Sequence, residues 1–113
     1  MKTWVDPKTG LKWQITSPEK PMNWQEAMTY AESLRDDWRL PAIKELETLL
    51  DRSKFDPAVR KEVLFRDSLF YWSSTTYAGK TSNAWGVDFY NGGVDDYGKA
   101  NNYYVRCVRG EAK

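Results

Sequence analysis

The chain has no histidine and a single cysteine, Cys107. Without histidine it lacks the commonest general base, the usual hydrolytic triad and the commonest zinc ligand. One cysteine excludes an intramolecular disulfide and any two-cysteine metal site. Most enzyme classes become awkward, so the sequence is read as that of a protein that is not an enzyme, with no catalytic residue, metal site or cofactor. Long apolar runs are also missing. The longest are a few residues, as in Val63-Leu64-Phe65, so no segment reads as a transmembrane helix and membrane insertion is not expected. Met1-Lys2-Thr3-Trp4 leads straight into charged residues without a signal-peptide apolar region, and the residues alone assign no localisation. Lys and Arg total 17 against 16 Asp and Glu, a net charge of +1. Neither side of a division after Phe70 carries an excess, with 12 basic against 12 acidic residues before it and 5 against 4 after it. Nucleic acid is therefore not expected as a partner, because phosphate binding needs a concentrated basic face.

Aromatic residues are what the chain has in quantity. Six Trp, 7 Tyr and 4 Phe occur among 113 residues, yet mean hydropathy is only -0.75, so many rings must lie at or near the surface. The length bounds the chain to one domain spanning residues 1–113, and 41% hydrophobic with 29% charged residues is globular composition.

Leu11, Trp13 and Ile15 alternate with polar neighbours after the turn-forming run Asp6-Pro7-Lys8-Thr9-Gly10, and with Trp4 and Val5 they predict an N-terminal hairpin. Asn23 followed by Glu26 fits a reciprocal helix cap. Trp24, Ala27, Met28, Ala31 and Leu34 then set one apolar stripe on a helix of about three turns. Asp36-Asp37-Trp38-Arg39-Leu40 breaks that pattern, and Trp38, Arg39, Leu40 and Pro41 read as a structural corner between helices. Pro41 is placed to open a second helix buried through Ile43, Leu46, Leu49 and Leu50. Between Asp51 and Asp67 a short helical turn starting at Asp56-Pro57 is expected to carry Val59 and Val63, with Phe55 and Phe65 as anchors. From Leu69 onward the composition shifts to Tyr, Trp, Ser, Thr, Asn and Gly, and helix gives way to sheet. Tyr71 to Tyr77 reads as a strand; Trp85, Val87 and Phe89 alternate with Gly86 and Asp88; Asn91-Gly92-Gly93 marks a hairpin turn. Val105 and Cys107 alternate with Tyr104 and Arg106 in a last strand. The expected fold class is α+β, with two helices packed on a mostly antiparallel twisted sheet.

Gly10-Leu11-x-Trp13, Trp38-Arg39-Leu40-Pro41, Lys44-Glu45-Leu46, Tyr71-Trp72-Ser73-Ser74-Thr75, Ala84-Trp85-x-Val87-x-Phe89 and Tyr104-Val105-Arg106-Cys107-Val108-Arg109 occur in that order. They closely resemble the bacterial and phage family called the Lcl C-terminal domain, after the collagen-like adhesins that end in it. The resemblance implies a C-type lectin-like fold related to formylglycine-generating enzyme domains. It also implies a place on a cell surface, in secretion or on a phage particle. Some members act in adhesion, and others are variable proteins of diversity-generating retroelements that display hypervariable residues in the C-terminal part of the fold. No catalytic residues are established for the family. The Glu-Pro-Asn-like and Trp-Asn-Asp strings of calcium-dependent lectins are absent, as is the reactive cysteine pair of formylglycine-generating enzymes.

Trp24, Trp72, Trp85, Phe89, Val105 and Cys107 are read as core. Arg106 and Arg109 are read as partners of carboxylates or as solvating the sheet face. The segment from Tyr77 to Tyr104 has the composition of adaptable recognition loops, in which Tyr supplies amphipathic contact area and Asn and Asp supply hydrogen bonds. Its candidate ligand-binding residues are Asp88, Tyr90, Asn91, Asp95, Tyr97, Lys99, Asn101 and Asn102, with the last three bordering the same patch as the others. Asp95 and Asp96 are adjacent, so on a strand they point to opposite faces, which disfavours a paired-carboxylate site. The expected function is a noncatalytic module that binds a protein or glycan through this surface, including as a retroelement-diversified protein. The alternative is a structural or assembly subunit of a phage or adhesin, and a homo-oligomer is compatible with either.

Overall fold

Residues Thr3–Val5 (β1) and Lys12–Gln14 (β2) form the N-terminal hairpin, with Trp4 opposite Trp13. The computed structural model describes residues 1–16, 18–63 and 69–111. The β1–β2 turn is closed by Asp6, whose amide donates to the Leu11 carbonyl at 2.8 Å and whose carbonyl accepts from Gly10 at 2.7 Å. Gly10 takes a φ of 79°, the left-handed conformation that glycine adopts without steric cost.

Helix α1 (Trp24–Ser33) begins as its sequence predicts. The Asn23 side chain accepts from the Glu26 amide at 2.9 Å while Glu26 accepts from the Asn23 amide at 3.0 Å. Ala27 and Ala31 are buried, and Trp24, Met28 and Leu34 pack beside them. The helix stops where Arg35, Asp36 and Asp37 take positive φ. Helix α2 (Ile43–Glu47) is short, and Pro41 lies outside it, its carbonyl accepting from the Ser74 amide at 2.8 Å. The first turn of α2 is capped by Glu45, which accepts from the Ala42 amide at 2.8 Å and is gripped by both terminal nitrogens of Arg39 at 2.6 and 2.8 Å. The Trp38–Pro41 corner is thus pinned by an ion pair.

β3 (Phe70–Thr76), β4 (Asn83–Asp88) and β5 (Gly93–Gly98) form an antiparallel meander with β5 at its edge. Instead of one sheet there are two among the described residues, each three-stranded, since β6 (Val108–Arg109) joins β2 and not the meander. Both faces of β3 are covered: Phe70 and Trp72 enter the cluster under α1, and Tyr71 enters the one under α2 with Leu46, Leu49 and Val87. This is why the strand opens on three consecutive rings, Phe70, Tyr71 and Trp72, instead of alternating. Segment 103–108 stitches the two sheets together. The Trp72 amide donates to the Tyr104 carbonyl at 3.0 Å, and the Gln14 amide to the Cys107 carbonyl at 3.0 Å.

Several expectations are corrected here. The alternation expected for the last strand fails, because Val105, Arg106, Cys107 and Val108 are all buried between two layers. Arg106 is buried and does not solvate a face; among its contacts it donates to the Ile15 carbonyl and, at 3.3 Å, to the Tyr71 hydroxyl. Gln14 is buried as well, donating to the Tyr30 hydroxyl at 2.7 Å and accepting from the Cys107 amide at 3.1 Å. Trp24 and Trp85 are half-buried rather than fully buried. No helical turn starts at Asp56-Pro57, which is a cis peptide. Val59 and Val63 are buried as expected, but Phe55 is 72% exposed and anchors nothing. Phe65 lies outside the described residues.

One buried ion pair joins the hairpin to the middle of the chain. The two terminal nitrogens of Arg60 meet the two carboxylate oxygens of Asp6, each at 2.9 Å, and one of them also donates to the Thr48 carbonyl at 2.9 Å. Asp6 is fully buried, and its hydrogen bond to Arg60 outweighs desolvation and holds its pKa down at about 2. Removing one partner strands a buried charge, so Arg60→Met should lower stability by about 3–5 kcal/mol in urea melts. The wild-type contribution is present above the ordinary carboxylate range and lost as pH falls through about 2. Asp6→Asn should therefore be less stable at neutral pH and show a flatter loss of stability over that acid window.

Candidate ligand-binding surface

The β4–β5 hairpin carries most of the candidate residues, and its register decides which of them meet. Gly86 lies opposite Asp95 and Ala84 opposite Tyr97, so Asp95 and Tyr97 share the face on which Phe70 and Trp72 pack. Trp85 lies opposite Asp96 on the other face. Phe70 sits so close over Gly86 that a Cβ there would come within 2.3 Å of its ring. The absence of a side chain at Gly86 is what lets the aromatic cluster close onto the strand.

Tyr97 is 41% exposed, and its inner side is held by Phe70 and Tyr103 at centroid distances of 5.0 and 5.5 Å. Burial, with Tyr97 nearby, raises the pKa of Tyr103. Asp95 is exposed, whereas Asp96 is half-buried and accepts from the Asn83 side-chain amide at 2.9 Å. The two carboxylates do point to opposite faces, as adjacent strand residues must. Among the described residues, no group of three or more His, Cys, Asp or Glu is placed to hold a metal ion.

At the hairpin tip the loop runs through Phe89, Tyr90, Asn91 and Gly92, with Gly92 at a φ of 82°. Asp88 accepts from the Tyr90 amide and Asn91 from the Gly93 amide, both at 2.8 Å. These bonds stiffen the tip and leave Tyr90 48% exposed. A loop from the middle of the chain lies against it, the Asp56 amide donating to the Tyr90 carbonyl and the Ala58 amide to the Phe89 carbonyl, both at 2.6 Å. Phe55 thereby stands beside Tyr90, ring centroids 6.4 Å apart and planes at 71°. Hydrophobic periodicity gave no sign of this neighbour.

Lys99, Asn101 and Asn102 do not border the tip. They follow the far end of β5, where Asn83 pairs with Gly98, roughly 17 Å from the tip at the rise of a six-residue strand. Lys99 is occupied: its ammonium lies 4.1 Å from the Trp24 ring centroid and donates to the Thr76 hydroxyl at 3.0 Å. Trp24 in turn donates its ring N–H to the Ser73 carbonyl at 3.0 Å. Asn101 and Asn102 are exposed. The eight candidates thus divide into a tip group (Asp88, Tyr90, Asn91), an edge-strand pair (Asp95, Tyr97) and a group beside the start of α1.

A family model described as the Lcl C-terminal domain matches residues 2–109. The chain belongs to the Lcl C-terminal domain family. No curated protein matches it. In this Lcl C-terminal domain the strings that carry the family pattern lie largely in the two cores, Trp13, Leu46, Trp72, Val87 and Cys107 among them. Of the tip residues, Tyr90 and Asn91 lie between those strings, and Asp88 is at an unspecified position within one.

Two tests follow from this geometry. Lys99→Ala should cost about 1 kcal/mol of stability through the lost cation–π contact, read in urea melts beside Asn102→Ala, which should stay within about 0.5 kcal/mol. Equal effects would show that Lys99 is as unencumbered as its neighbour. Burial pushes the Cys107 thiol up to about 12, so native protein should label with a thiol reagent only as fast as it unfolds.

Proposed function

We propose that this Lcl C-terminal domain is a noncatalytic ligand-binding module, on a C-type lectin-like variant of the α+β fold, that holds a protein or glycan on its β4–β5 hairpin. The observation that carries this reading is that two hairpin tyrosines, Tyr90 and Tyr97, are 48% and 41% exposed, and that the other exposed ring among the described large hydrophobics, Phe55, stands beside Tyr90. A tyrosine backed by a stiff hairpin offers contact area at little ordering cost. The lectin-like assignment is supported by the pairing of the N-terminal hairpin with the C-terminal strand in one sheet, separate from the β3–β4–β5 meander. The noncatalytic assignment is supported by the splayed Asp95 and Asp96 and by the inert burial of Cys107. Retroelement diversification is the genetic form of the same reading, and it requires AAY codons at the tip and edge positions with a near-identical template repeat nearby.

The experiment is a binding screen of the purified domain against arrayed glycans and host surface proteins. Tyr90→Ala or Tyr97→Ala should remove binding to the ligand found, each at a cost of at least about 2 kcal/mol in affinity, while Tm stays nearly unchanged. Binding that survives both changes and is lost on substituting Glu32 or Glu47 would move the site to the helix side.

A further inference from the structure

Phe55 is the most exposed aromatic side chain among the large hydrophobics, and it does not stand alone. Its ring and that of Tyr90 form an edge-to-face corner built from two segments distant in sequence. The corner is stiff on both sides. Asp56 and Ala58 donate to the carbonyls of Tyr90 and Phe89, and Asp51 accepts from both the amide and the hydroxyl of Ser53 at 2.9 and 2.5 Å. Gly92 lies under the corner, where a Cβ would come within 3.3 Å of the Arg52 side chain. Asp56 keeps a φ of 46°, a conformation costly for a residue other than glycine, which persists here because the amides around it are pinned.

The surroundings decide what such a corner fits. Arg52, Ser53, Lys54, Asp56 and Asn91 around it are all exposed and polar. A stable protein interface needs roughly 800 Å² from each partner with an apolar centre. Two partly exposed rings supply on the order of 200–300 Å², so a protein or a second copy of this chain has too little apolar surface to dock on. The local charges also balance: Lys54 lies 3.8 Å from Asp51, and the same segment carries one further cation, Arg52, and one further carboxylate, Asp56. A polyanion or polycation finds no complementary field. One or two sugar rings match this area. A pyranose has an apolar C–H face that covers an aromatic ring and a rim of hydroxyls that needs paired donors and acceptors, which the polar border provides.

We propose that Phe55 and Tyr90 form a stacking platform for a neutral oligosaccharide. This rests on the hairpin reading above and narrows it to one ligand class and to a residue outside the hairpin.

Saturation-transfer NMR with cellohexaose, chitohexaose and mannohexaose, and with heparin as the charged comparison, tests the platform. At least one neutral sugar should bind, heparin should not bind more tightly, and Phe55→Ala and Tyr90→Ala should each weaken the neutral sugar about tenfold or more. Phe55→Trp should restore binding, which marks the aromatic ring itself as the contact. Since Phe55 is so exposed, its replacement should not move Tm, which separates lost binding from lost fold. No binding by any neutral sugar, or binding of heparin alone, overturns the platform. Sugar binding that ignores Phe55 but needs Tyr97 overturns it while leaving the hairpin reading intact. So does a purified protein ligand that needs Tyr90 when no sugar binds. Ligand binding insensitive to both Tyr90 and Tyr97 defeats both.

Discussion

The buried pair of Asp6 and Arg60 is the constraint from which the candidate surface is built. A carboxylate with no exposed surface must keep its guanidinium partner, because an unpaired charge in that position is far more costly than any contact around it. The chain near residue 60 is therefore fixed against the β1–β2 turn, and the Arg60 bond to the Thr48 carbonyl fixes it against the end of α2 as well. Two residues earlier, Ala58 hydrogen-bonds the Phe89 carbonyl, and Asp56 hydrogen-bonds that of Tyr90. A charge pair at one end of the molecule thus sets the position of the hairpin tip through a short stretch of pinned backbone.

The same logic separates rings that hold the fold from rings that are free to do something else. Trp72 donates to the Met22 carbonyl at 3.0 Å and packs on Tyr103, so its position is set from both of its ends. Tyr71 meets Phe89 at 5.6 Å and hydrogen-bonds Arg106. Each buried ring with a polar handle has found a partner for it, except the Trp13 indole N–H, for which no partner is seen. Phe55 and Tyr90 show the opposite: their backbones are fixed and their rings are left out. Stability selects the first group by packing; nothing in the fold requires the second to be aromatic.

Much of the scaffold was legible because its signals are local. Asn23 and Glu26 cap a helix within one turn, and Gly92 supplies a positive φ that its own position demands. The failures occur where a residue answers to something distant. Gln14 reads as solvent-facing by alternation and Arg106 as a carboxylate partner or a residue solvating the sheet face, yet both lie buried between two layers, where Gln14 bonds Tyr30 and Cys107 and Arg106 donates to Ile15 and Tyr71 among its contacts. Lys99 read as a free loop residue because the Trp24 ring that it covers lies far back in the sequence. Phe55 read as an anchor because a phenylalanine between polar residues is ordinarily one. Its exposure follows from tertiary bonds to Tyr90, which no pattern along the chain encodes.

The edge strand bears on whether the proposed recognition falls at the tip or along β5. An open edge offers unpaired backbone groups to any extended chain, and two copies of β5 paired antiparallel about their middle would set Asp95 of each against Asp96 of the other. Like charges placed directly opposite are destabilising, and charged side chains on an edge strand are a common guard against such pairing. Asp96 is further committed to Asn83, so it cannot turn away to relieve the repulsion without giving up that bond. That pairing is thereby disfavoured by the strand's own carboxylates. The tip, where Asp88 and Asn91 bond their own backbone and the flanking loop contributes an aromatic ring, presents contact area without presenting a strand.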